Sequence, residues 1–187
     1  AEEYLDLDYR RELLDAGDIE FFGGKQELIR RGYVDDWNAA VMMHAGSDTP
    51  ERTITSNFST NGFVGKFVTY HGTEAHAGAA PEEGVNALNA AMLGMNAVHA
   101  QRERFRDEDH IRVHPIITRG GDGVNVVPAE VTMESYVRGA TIDAVAEANR
   151  SVNRALASGA MGVGGDVEIE DYPGYMPLRT NQTLASR

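Results

Sequence analysis

The stretch YHGTEAHAGAAPEEGVNALNAA, residues 70–91, joins the end of an alternating segment to the start of a helical one. Two histidines, His71 and His76, stand five apart in it among small residues. Upstream, NGFVGKFVTYHG (61–72) alternates, with Phe63, Gly65, Phe67 and Thr69 on one face, and reads as a strand. Downstream, from Gly84 to about Arg104, Val85, Leu88, Met92 and Met95 are spaced 3, 4, 3, which predicts an amphipathic helix with those residues inward. Pro81, Glu82 and Glu83 suit its first turn, where acidic groups meet the positive end of the helix dipole. His76 sits in the turn between the two elements, either in a polar loop or aimed at chemistry supplied from elsewhere.

Working outward, HIRVHPIITRG (110–120) is a second strand. Pro115 has no N–H for a ladder, so this strand belongs at an edge or carries a bulge. GGDGVNVVP (120–128) is a Gly-rich turn, and EVTMESYVRGA (130–140) a third strand with Val131, Met133 and Val137 inward and Thr132, Glu134, Tyr136 and Arg138 outward. Thr141 caps a second helix running to about Ala160, with Val145, Ala148, Val152 and Leu156 on its core face and AMGVGG ending it. DVEIEDYPG (166–174) is a fourth strand. The order is β-α-β-β-α-β, the ferredoxin-like α+β arrangement: a four-stranded antiparallel sheet with two helices on one face and the other face bare.

Three segments follow from this, 1–57, 58–174 and 175–187. In the first, GGKQELIRRG is a short helix and WNAAVMMH an apolar strand that needs neighbours on both faces. Residues 4–23 shape a pocket or form a peripheral hairpin, and the sequence does not choose between them. The 187 residues contain no Cys, which excludes disulfides, thiolate metal sites and a Cys nucleophile. No signal peptide or transmembrane pattern is present, so a cytoplasmic protein is the default expectation. The net charge of −12 argues against nucleic acid and anionic membranes as partners. Lys25 and Lys66 are the only lysines among 17 Lys and Arg, a balance that suggests adaptation to high salt.

AEEY, AVMMHAG, HGTEAHAGAAPEEGVNAL, GGDGVNVVP and YVRGA occur in the order and rough spacing of a known family. They resemble the dinuclear metal amidohydrolases and peptidases: carboxypeptidase G, aminoacylases, indoleacetyl-amino-acid hydrolases and aminobenzoyl-glutamate hydrolases. The resemblance implies an α/β catalytic domain holding two divalent metal ions (Zn, Mn or Co) and an inserted β-α-β-β-α-β lid through which the protein forms a homodimer. It implies Glu2 as the general base, Glu3 and His44 as metal ligands, and His76 as hydrogen-bond donor to the scissile carbonyl oxygen, often of the other protomer's site. It also implies that Asn125 and Arg138 bind substrate, Arg138 meeting a carboxylate. The implied reaction is hydrolysis of an amide bond to an amino-acid-like group with a free carboxylate.

On residue type alone, blander assignments stand beside each of these. Glu2–Glu3 is a solvated acidic pair, His44 a core histidine, Asn125 a turn residue bonding its own backbone, and Arg138 a solvated charge. His71, His99, His110 and His114 read as structural or solvent-facing. The family's His-x-Asp motif, the bridging Asp that precedes the Glu–Glu pair and the late His ligand have no counterpart here. Two protein ligands are too few for a two-metal site, so the chain reads as a fragment of a longer enzyme. The rival class is a non-catalytic ferredoxin-like dimerisation or ligand-binding module.

Overall fold

The computed structural model describes residues 7–42 and 59–186, which fall into two compact units. The larger, Asn61–Met176, holds the sheet. Its strands are β1 (Gly62–His71), β2 (Arg112–Val113), β3 (Ile116–Arg119), β4 (Glu130–Gly139) and β5 (Asp166–Pro173). Its helices, besides short 3-10 turns, are α3 (Ala87–Ala100) and α4 (Ile142–Val163). β1 pairs antiparallel with β4 on one side and β5 on the other. The segment 110–120 is broken in two at His114–Pro115, and both pieces pair with β4 to form one edge. Counting that edge once, the sheet is the expected four-stranded antiparallel one in the β-α-β-β-α-β order.

β4 follows its alternation: Val131, Met133 and Val137 are buried against the helices. Thr141 Oγ1 accepts from the Ala144 amide at 3.1 Å and caps α4. Val145, Ala148, Val152 and Leu156 form the core face of α4, and Gly164 ends it in the left-handed conformation at φ 77°.

α3 departs from expectation in two ways. It begins at Ala87, capped by Asn86, whose side chain accepts from the Asn89 amide at 3.0 Å. Pro81–Glu83 form a separate 3-10 turn instead. Its core face is centred on the small residues: Ala87, Ala90, Ala91, Gly94 and Val98 are buried, Leu88 and Met95 pack partly buried against the same core as expected, and Met92 is half exposed. The cause is a close crossing with α4. A Cβ on Gly159 would lie 2.2 Å from the Ala90 carbonyl oxygen and 2.5 Å from the Gly94 nitrogen, so only the smallest residues fit. Gly94 also leaves the gap through which the buried Tyr70 hydroxyl donates to the Leu156 carbonyl at 2.9 Å. One point thereby ties β1, α3 and α4 together.

Lys66, which the alternation does not single out, has no exposed surface. It points from β1 toward α4, and its ammonium donates to Asn153 of α4 and to Asp171 of the neighbouring β5. Asp171 also accepts from Asn149 at 2.5 Å and Asn153 at 3.0 Å. Burial lowers the Lys66 pKa despite Asp171. Burial pushes the Asp171 carboxyl up, but its three donors outweigh that and hold it below the usual range.

The smaller unit contains α1 (Leu7–Asp15), α2 (Gly24–Arg30) and a short α5 (Gln182–Ala185). α2 is the expected short helix. Residues 7–23 hold a helix followed by turns, not a hairpin. Residues 37–42 are irregular, with Trp37, Val41 and Met42 exposed, so the described part of WNAAVMMH is not a strand. Among the described residues this unit has no strand against which it could pair. Glu27, buried, accepts from the Glu20 and Phe21 amides at 2.6 and 2.9 Å and from Arg30 at 2.8 Å. The Arg30 bonds lead in holding its carboxyl down at about 2, with the two amides assisting.

Candidate functional site

The loop after β1 and the loop before β4 lie side by side. Thr73 and Val85 form an isolated bridge within the first loop, and His76 forms another with Val126 of the second. The Ala77 amide donates to the Asn125 carbonyl at 3.0 Å, and the Val127 amide to the Ala75 carbonyl at 2.9 Å. His76 and Asn125, chosen separately from sequence, are therefore held together at one tip, and both are exposed.

The His76 ring is anchored by its own turn. The amides of Gly78 and Ala79 both donate to Nδ1 at 3.1 Å. The Ala79 and Ala80 amides also reach the His76 carbonyl, at 3.2 and 3.0 Å. A sequence scan for side chains had no means of finding these amides. The signal is only that small residues follow the histidine, leaving its ring room to fold back over the turn.

Arg138 is elsewhere. In the strand register it pairs with Phe63 at the start of β1, whereas the His76 loop leaves from His71 at the other end. At about 3.3 Å per residue, those eight steps separate the two ends by roughly 26 Å. The Arg138 guanidinium lies 5.3 Å from the Phe63 ring centre and 5.2 Å from that of Tyr136. Phe63 in turn touches Tyr136 and Tyr175, at 4.7 and 4.8 Å between ring centres. The open sheet face thus carries an aromatic cluster with a cation stacked on it, rather than a solvated charge.

Three further histidines hold local contacts. His99 Nδ1 accepts from Arg102 at 3.2 Å, and His71 lies 3.9 Å from Glu168. His110 is left-handed at φ 49° and its carbonyl accepts from Asn61 at 3.1 Å. Glu2, Glu3 and His44 lie outside the described residues. Among the described residues, no group of three or more His, Cys, Asp or Glu is placed to hold a metal ion.

The pattern model of the peptidase dimerisation domain matches residues 58–162, which is most of the sheet-bearing unit. The chain belongs to the peptidase dimerisation domain family. Its dimerisation domain supplies the paired loops of His76 and Asn125 and the aromatic face of Arg138. Across 175 residues, covering 88% of this chain and 37% of the relative, it is 29% identical to the mouse (Mus musculus) protein named Xaa-Arg dipeptidase. It is 37% identical over 122 residues to a p-aminobenzoyl-glutamate hydrolase polypeptide of Escherichia coli (strain K12), covering 63% of this chain and 27% of that one. In fold it is similar to the crystal structure of an aminobenzoyl-glutamate utilization protein from Klebsiella pneumoniae: TM-score 0.58, 22% identity, 67% of this chain and 32% of that one. The chain thus spans about a third of the length of the relatives it matches. Among the described residues, no helix is long and apolar enough to cross a membrane.

Proposed function

We propose that the dimerisation domain serves a metal-dependent hydrolase that cleaves an amide bond to an amino-acid-like group with a free carboxylate. Family membership supports the hydrolase class, and the relatives' names, a dipeptidase and an aminobenzoyl-glutamate hydrolase, support the substrate class. In this reading Glu3 and His44 are two of the ligands to a pair of divalent ions, and Glu2 is the base. The metal ions supply an activated water. His76 and Asn125 donate to the scissile carbonyl oxygen and hold it as charge develops there. Arg138 takes the substrate carboxylate through its guanidinium fork. High-salt adaptation fits the acidic, lysine-poor composition.

The observation that carries the arrangement is the length of the sheet between His76 and Arg138. An extended dipeptide spans at most about 7 Å, so one substrate cannot touch both ends of one lid some 26 Å apart. In a homodimer, however, one site can take His76 and Asn125 from one protomer and Arg138 from the other. Each lid then serves two active sites, one from each end.

Mixing inactive variants tests this. His76→Ala and Arg138→Ala are made in the full-length protein and combined with time for protomer exchange. A heterodimer then has one site with both residues intact and one with neither. Random exchange makes half the dimers heterodimers, so activity recovers toward about one quarter of wild type. If mass spectrometry finds heterodimers and activity stays at background, the two residues come from the same lid or do not share a site.

A further inference from the structure

We infer that His76 acts as an uncharged Nε2–H donor whose tautomer is fixed by the backbone of its own turn. What it donates to rests on the proposed function; the tautomer does not. Backbone amides can only donate, and two of them, from Gly78 and Ala79, meet at Nδ1 at 3.1 Å. Nδ1 must therefore present its lone pair, and in a neutral imidazole the proton is then on Nε2. Neither a proton nor a metal ion can take Nδ1 without displacing both amides. The root of the side chain is also held, because His76 is bridged to Val126 and the next amide donates to Asn125. One edge of the ring is thus tied down, and Nε2–H is the remaining polar atom on an exposed side chain.

This limits the chemistry of the tip. His76 is neither a ligand nor a proton shuttle but a fixed donor that needs an oxygen acceptor. Asn125 adds a second neutral donor group beside it. Glu74, Glu82 and Glu83 lie in the loop that carries His76, and Asp122 of the second loop is neutralised by Arg119, so a resting anion such as phosphate meets net repulsion. An amide carbonyl oxygen approaches uncharged and gains charge only in the transition state, where fixed donors help most. The tip is built for a carbonyl oxygen, not for an anionic group of the bound substrate.

Two measurements test this. In long-range proton–nitrogen correlation spectra of this chain, His76 is expected to show a lone pair at Nδ1, a proton at Nε2, and scalar coupling across the hydrogen bond from the Gly78 amide to Nδ1. The coupling is decisive, because free imidazole also favours a proton on Nε2. Absence of the coupling, or a proton on Nδ1, overturns the inference. Variants of the full-length enzyme then separate anchor from donor. His76→Asn places an amide oxygen where Nδ1 was but has no Nε2 donor. It should keep the wild-type melting temperature and lose turnover by about 10²–10³. His76→Gln keeps a donor at the Nε2 position without the anchor, and should retain more turnover than His76→Asn. If the coupling is present and His76→Asn is fully active, the tautomer stands, the hydrolase reading stands, and the donor role given to His76 falls.

Discussion

Replacing Asp171 by alanine leaves the Lys66 ammonium in the core with Asn153 as its remaining named acceptor. Two outcomes bound the cost. If Lys66 stays charged, breaking a buried ion pair from one side typically costs about 3–5 kcal/mol. If it sheds its proton at pH 7, the cost is set by its ordinary pKa of 10.5: 3.5 units at about 1.36 kcal/mol each, or about 4.8 kcal/mol. The cheaper route wins, so the part of the loss that comes from the Lys66 charge stays within about 5 kcal/mol. The Asp171 side chain is 32% exposed, so water reaches the gap and the lower end, about 3 kcal/mol, is expected. The pH dependence has a definite sign. A lysine whose folded pKa is depressed opposes folding wherever the unfolded lysine is protonated, and this penalty shrinks as pH rises toward 10.5. Raising the pH from 7 to 9 should recover up to about 2.7 kcal/mol, two units at about 1.36 each. Urea unfolding of this chain at both pH values measures this. Lys66→Met/Asp171→Ala, with no charge left to bury, should stay within about 1 kcal/mol of wild type. A loss below about 1 kcal/mol in Asp171→Ala, or the same loss at both pH values, would refute the reasoning.

Gly159→Ala forces a Cβ to 2.2 Å from the Ala90 carbonyl, so α3 and α4 must part; a loss of about 1–3 kcal/mol is expected, and an unchanged melting temperature refutes the crossing. The Glu27 carboxyl, held at about 2 against an ordinary 4.5, stabilises its unit above pH 4.5 and loses that contribution as the pH falls from 4.5 toward 2. Exchange protection of the Glu20 and Phe21 amides should vanish over that window, and Glu27→Gln should remove the pH dependence. With a net charge of −12, the melting temperature should rise between dilute buffer and molar KCl, as the Debye length falls from about 30 Å at 0.01 M to about 3 Å at 1 M; a flat profile removes the salt-adapted reading.

The sequence carried the strand and helix order because each signal was local. Alternation placed Val131, Met133 and Val137 inward, Thr141 marked a cap, and Pro115 marked an interrupted edge. On α3 the periodicity located Leu88 and Met95 against the core but not the centre of the face, because it gives weight to large apolar residues while a backbone-close crossing selects Ala and Gly. Lys66 escaped notice because its partners, Asn153 and Asp171, are 87 and 105 residues away. His76 and Asn125 stood out through the motifs around them. What separates Arg138 from them is strand direction: β4 carries it to the far end of the sheet, which motif spacing along the chain does not reveal.

The knot of Tyr70, Gly94, Leu156 and Gly159 has a mechanical consequence. The His76 loop is slung between β1 and α3, and both of its anchorages lead into that knot. At Gly159 the backbones of α3 and α4 meet directly, so close packing passes a disturbance of α4 on to α3 as displacement. A side chain added at Gly94 or Gly159 would therefore reach the His76 loop through α3, the helix that follows it.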